Sequence, residues 1–164
     1  MLTLGIDPGT TNLGFGLVAG DADPLLVEFG CLVTSRKADR PRRLLEIYEY
    51  IGEILDRHPV TDVAIEQVVF GRNVSTATPV AQAAGVAMVA AARRDLPVAE
   101  YSPPQIKAAV TGNGNATKQQ VQRLVSLILR LDEAPRPDHA ADALATAICH
   151  IHNHRLRAIL AGAR

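Results

Sequence analysis

Apolar side chains alternate with small or polar ones from the first residues of the chain. Leu2, Leu4 and Ile6 describe a short strand that must stop at Asp7, because Pro8 cannot donate to a ladder and Pro8-Gly9 favours a turn. Gly14 to Val18 is a second apolar run, so a hairpin is expected across the turn. A loop at Asp21-Ala22-Asp23-Pro24 leads to a third strand, Leu25 to Val33, with Leu26, Phe29, Cys31 and Val33 available for burial. Between Arg42 and Asp56 the period changes. Leu44, Ile47, Tyr48, Ile51, Ile54 and Leu55 recur at three and four, which predicts an amphipathic helix ending before His58-Pro59.

Thr61 to Glu66 is again a short apolar run ending in an acid, and a strand that follows a crossover helix lies parallel to an earlier neighbour. The alanine-rich stretch Val74 to Ala92 predicts a closely packed helix, and Leu96 to Tyr101 a fifth strand. Ser102-Pro103-Pro104-Gln105 and Thr117-Lys118-Gln119-Gln120 have the form of capping boxes, each opening a helix. The second of these buries Val121, Leu124, Val125, Ile128 and Leu131, and Thr111-Gly112-Asn113-Gly114-Asn115 between the two reads as a flexible turn. Beyond the linker Ala134-Pro135-Arg136-Pro137 a last helix starts at Asp138, with Ala141, Leu144, Ile148 and Ile151 inward. The basic tail after His154 is expected to fray. The pattern implies an α/β fold with a five-stranded mixed sheet flanked by helices, in one domain over residues 1–164.

Composition adds a charge asymmetry. The net charge is zero, yet residues 1–66 hold 11 acids against 6 bases and residues 67–131 hold 2 against 7. No acid falls between Tyr101 and Leu131, where Lys107, Lys118, Arg123 and Arg130 stand, so a polyanion-binding face is compatible with the neutral total. Cys31 and Cys149 have no motif partner and read as reduced, packed thiols; with no leader-like or membrane-spanning run, the expected location is the cytoplasm.

The candidate chemistry gathers at strand ends. If Asp7 and Glu66 end neighbouring parallel strands, they share one rim of the sheet, where sites in open α/β sheets lie. His139 and Asp142 are spaced i, i+3 at the start of the last helix, hence on one face. Adjacent carboxylates without a cation repel, so such a group suits divalent metal, most naturally two ions that promote attack of water on a phosphodiester. Taken singly, Asp7 is also an ordinary turn residue, and Glu66, Asp142 and His139 have ordinary structural uses. The glycines at 9, 14 and 16 read as a tight hairpin that leaves room at this rim. His150 and His154, at i, i+4, lack an accompanying acid or thiol and are not read as a metal site.

Gly5-Ile6-Asp7-Pro8-Gly9 with Gly14 and Gly16, Ala64-Ile65-Glu66-Gln67-Val68, Pro104-Gln105 with Lys107 and Lys118, and His139-Ala140-Ala141-Asp142-Ala143-Leu144-Ala145 together resemble the RuvC family of bacterial Holliday junction resolvases. The resemblance implies a ribonuclease H-like fold and a homodimer that nicks four-way junction DNA symmetrically, leaving 5'-phosphate and 3'-hydroxyl. It also implies the branch-migration partners RuvA and RuvB. By it, Asp7, Glu66, His139 and Asp142 fall on the metal-binding positions for Mg2+ or Mn2+, with Asp138 as the fallback for His139. Lys107 and Lys118 fall on positions that support DNA binding and catalysis. Val69 stands where family members often have an aromatic, so Phe70 is the candidate for junction stacking, and Arg72 is a candidate phosphate contact. The opening loop is also similar to the phosphate loop of the actin, Hsp70 and sugar-kinase group, whose members hold nucleotide between two such domains, whereas 164 residues supply one.

Overall fold

The computed structural model describes residues 1–68 and 74–162, with the side chains of 74–76 and 161–162 left aside. The strands are β1 (Leu2–Asp7), β2 (Asn12–Ala19), β3 (Leu25–Val33), β4 (Asp62–Glu66) and β5 (Val98–Tyr101). The helices are α1 (Arg40–Arg57), α2 (Val74–Ala92), α3 (Pro103–Thr111), α4 (Lys118–Ile128) and α5 (Asp138–Gly162). The sheet order is β3-β2-β1-β4-β5, with β1–β2 and β2–β3 antiparallel and β1–β4 and β4–β5 parallel. It is the five-stranded mixed sheet expected of a ribonuclease H-like fold.

Local chemistry accounts for the helix starts. Asp39 Oδ1 accepts from Arg42 N at 3.0 Å at the head of α1. Gln105 Oε1 reaches back to Ser102 N at 2.9 Å, and Gln120 Oε1 to Thr117 N at 2.8 Å, so both capping boxes form. The turn between α3 and α4 is closed by its own bonds, with Gly112 left-handed at φ 76° and Thr111 Oγ1 donating to Lys107 O at 2.8 Å.

The two faces of the sheet differ in side-chain size. Leu4, Ile6, Leu13, Phe15, Leu17, Val63 and Ile65 point to α1 and α2, forming one core with Ile47, Ile51, Ile54 and the alanines of α2. On the other face the strands offer Thr3, Gly5, Gly14, Gly16 and Ala64, against α5 with its buried Ala140, Ala143, Ala147 and Ile148. A Cβ on Gly5 would strike Ala143 O, one on Gly14 would strike His139 O, and one on Gly16 would come within 2.6 Å of Leu144 Cδ2. These three glycines therefore seat α5 against the sheet. Only Gly9 serves the tight turn, its missing Cβ clearing Asn12 O.

Other expectations also change. Val33 is 64% exposed at the end of the edge strand β3, where no neighbouring strand covers it, and Cys31 is half-buried. In α4, Val121 and Val125 are buried, while Leu124 and Ile128, and Leu131 beyond the helix end, are half-buried at the margin of the second core. The tail after His154 continues α5 to Gly162, with Leu156, Ile159 and Leu160 exposed. No described helix is long and apolar enough to cross a membrane.

Candidate active site

Because β1 and β4 are parallel, with Ile6 beside Ile65, their last residues Asp7 and Glu66 share one rim. Asp7 continues the small-residue side of β1 after Thr3 and Gly5, and Glu66 continues that of β4 after Ala64, so both acids lie on the α5 face. α5 begins at the same rim. Its close seating on Gly14 brings His139 Nδ1 to 2.7 Å from Asp7 Oδ2. An ionised carboxylate only accepts, so Nδ1–H of His139 donates to Asp7, and Nε2 lies on the opposite side of a ring that is 43% exposed.

Asp142 lies one turn further along α5 and is met by Lys118 from the first turn of α4, Nζ to Oδ2 at 2.9 Å. Lys118 also reaches Asp138 Oδ2 at 3.3 Å, and Gln122 Nε2 donates to Asp138 Oδ1 at 3.1 Å. A cavity of about 240 Å³ opens among Glu66, Ile106, Lys107, Lys118, Val121 and Asp142. The rim thus combines three carboxylates, an imidazole and two ammonium groups.

Electrostatics tie the acids together. Burial, and then the charges of Asp7 and Asp142, push the Glu66 carboxyl up to about 7. Asp7 is also raised, burial outweighing the lowering by its bond to His139, with Asp142 adding to the rise. The exposed Asp138 is instead lowered, by Gln122 and Lys118. Hard oxygen donors gathered at one rim, beside one imidazole, form a donor set that suits a divalent cation. Among the described residues, no three His, Cys, Asp or Glu side chains already converge as a metal cage, and Lys118 supplies the positive charge at Asp142.

The predicted residues divide accordingly. Asp7, Glu66, His139, Asp142, Lys107 and Lys118 all lie at this rim, whereas Phe70 and Arg72, like Val69, fall outside the described residues. Asp138, the fallback ligand, is the first residue of α5 and turns to α4, not to Asp7. Gln122 was not singled out in the sequence, although its i, i+4 spacing from Lys118 puts both on one face of α4. His150 is buried away from the rim, its Nδ1 3.0 Å from Tyr101 Oη and its Nε2 3.4 Å from Asp62 Oδ1. His152 Nδ1 lies 3.0 Å from Ala109 O.

Comparison with known proteins shows the family and the fold. The family model for RuvC, crossover junction endodeoxyribonuclease, matches residues 3–150. The crossover junction endodeoxyribonuclease RuvC of Syntrophomonas wolfei is 45% identical over 161 residues, covering 98% of this chain and 94% of its own. That of Moorella thermoacetica is 49% identical over 153 residues, covering 92% and 90%. Among solved structures, Thermus thermophilus RuvC in complex with Holliday junction substrate superposes with a TM-score of 0.90 at 40% identity, over 96% of both chains. The yeast mitochondrial Holliday junction resolvase Ydc2, at 13% identity and a TM-score of 0.64, shares the fold. By its matched length, its fold and the residues at its rim, this chain belongs to the RuvC family of crossover junction endodeoxyribonucleases.

Proposed function

We propose that this chain resolves four-way DNA junctions, with Asp7, Glu66, His139 and Asp142 holding divalent cations at the rim of a single domain spanning residues 1–164. The observation that carries this reading is the gathering of Asp7, Glu66, His139 and Asp142 at one rim, beside a cavity also lined by Lys107 and Lys118. Dependence on a divalent metal comes with the family. The finer statement, two ions of Mg2+ or Mn2+ per site, rests on the donor set, and the imidazole of His139 favours Mn2+ at least as much as Mg2+.

Such ions supply an activated water and stabilise charge on the phosphoryl oxygens. The chain's own groups do the rest. Lys118 and Lys107 present ammonium charge to the phosphate in the cavity, and Asp7 orients the His139 ring through Nδ1. Water adds to phosphorus as the bond to the 3' oxygen breaks, leaving 5'-phosphate and 3'-hydroxyl.

Resolution needs two such sites, hence a homodimer. An apolar groove of about 530 Å³ between α1 and α2, lined by Leu44, Leu45, Tyr48, Val86 and Val89, supports contact with a second copy on that side. RuvA and RuvB are the expected branch-migration partners. Phe70 and Arg72, just past Glu66, remain the proposed stacking and phosphate contacts.

The test is nicking of a synthetic four-way junction by the wild type and by Asp7→Asn, with an RNA:DNA hybrid duplex as control substrate. The wild type cuts the junction symmetrically, as well with Mn2+ as with Mg2+, and spares the hybrid. Asp7→Asn binds the junction with cutting reduced by roughly a thousandfold or more. Binding without nicks by the wild type, or preference for the hybrid, would reject the reading.

A further inference from the structure

Two helices meet beside the site through a square of side chains. Lys118 and Gln122 are i, i+4 on α4, and Asp138 and Asp142 are i, i+4 on α5. Lys118 Nζ lies 2.9 Å from Asp142 Oδ2 and 3.3 Å from Asp138 Oδ2, while the second oxygen of Asp138 accepts from Gln122 Nε2 at 3.1 Å. A cation in the first turn of a helix opposes the helix dipole, so Lys118 sits against its local preference and depends on the α5 carboxylates.

We propose that Asp138, steadied by Gln122, is a positioning residue that keeps the Lys118 ammonium at the cavity when Asp142 turns to a divalent cation. The inference rests on the reading of Asp142 as metal-binding. A divalent cation held by Asp142 draws on its negative charge and repels the ammonium, so the hold of Asp142 on Lys118 weakens when the site loads. With Asp142 as its sole partner, a long side chain that is 49% exposed would swing into solvent, and its positive charge would leave the place where phosphate arrives. Asp138 changes that outcome. It is already within 3.3 Å of the ammonium, so the lysine shifts its weight from one carboxylate to the other without leaving the cavity. Gln122 removes the freedom of Asp138 to follow solvent, since its amide fixes one oxygen and leaves the other facing Lys118. Nor does Asp138 duplicate His139, because its carboxylate is 66% exposed and engages α4 through both oxygens.

The test measures single-turnover junction cleavage and calorimetric Mn2+ binding for the full chain as wild type, D138N, D138E, Q122A, K118M and D138N/K118M. D138N slows cleavage and weakens Mn2+ binding, each by about fivefold, the upper range for an exposed ion pair. D138E restores both, and Q122A gives a smaller loss of the same kind. In the K118M background D138N changes neither quantity by more than about 1.5-fold, because its effect runs through the lysine. A loss that persists in full without Lys118 overturns the proposal, since Asp138 would then act as a ligand or as bulk charge. The absence of any loss from D138N in the wild type overturns it equally. Asp142→Asn serves as the separate check: undiminished Mn2+ binding there would reject the metal-site reading itself, and the exchange with it.

Discussion

The two faces of the sheet are built from the same strands to opposite ends. Toward α1 and α2, β1, β2 and β4 present Leu, Ile, Val or Phe, and those side chains fill the space beneath the helices. Toward α5, β1, β4 and the middle of β2 present glycine, alanine and threonine, with Val18 and Tyr101 further out, and the backbone of the helix comes down almost onto the backbone of the sheet. The first face is where apolar area is buried, at ~1.5–3 kcal/mol for each fully covered large side chain. The second buries less per residue but fixes the helix in height, and at the rim the small residues give way to Asp7 and Glu66 facing His139 and Asp142. The larger apolar core and the proposed site are thus placed on different sides of one sheet.

This division can be tested by substituting neighbouring residues of β2 that point to opposite faces. Leu17→Ala, on the large face, should cost ~2–5 kcal/mol in urea unfolding, the usual range for an emptied leucine site. The folded fraction should still cut junctions at close to the wild-type rate, because α5 is not displaced. Gly14→Ala should do the reverse. Overpacking costs ~1–3 kcal/mol, but the new methyl must push His139 and the start of α5 off the sheet. A displacement of about 1 Å at a catalytic group costs roughly a hundredfold in rate. If both variants lose activity only in proportion to stability, the faces are not specialised.

Much of this was legible beforehand, and the reasons for the rest are physical. Periodicity located the strands and helices because burial on one side leaves a trace in each element by itself, and the acids at 7 and 66 stood out where apolar runs stopped. What one element leaves no trace of is its partner. The glycines at 14 and 16 read as part of a hairpin with Gly9, because nothing in β1 or β2 says which helix will lie on them. The matching signal was the run of alanines in α5, small against small. Val33 misled for a related reason, since an apolar residue on an edge strand is covered only if a neighbour reaches it. Gln122 and the true position of Asp138 depended on how α4 and α5 cross, which sequence spacing on either helix does not contain.

The smallest effect expected of the small face is on stability, and its sign follows from Glu66. In the folded chain this carboxyl keeps its proton up to about 7, against an ordinary value of 4.5, because the rim buries it and Asp7 and Asp142 repel its charge. A group whose folded value is raised contributes stability in full below its unfolded value and loses that contribution as pH rises through the folded one. With divalent cations chelated, stability should therefore fall between pH 4.5 and about 7, and Asp7, also raised, adds to the fall. His150, whose buried ring is held below its ordinary 6.5, acts in the opposite sense as pH drops, so the wild-type profile alone mixes the two. The difference between wild type and Glu66→Gln removes His150 from the comparison. Glutamine does not titrate, so urea unfolding should show the variant more stable by ~1–2 kcal/mol at pH 8, after allowance for solvent at the rim, and level with wild type near pH 4.5. A difference that does not change with pH would mean that burial and the neighbouring charges do not hold the Glu66 proton, and the electrostatic contrast between the two faces would be lost.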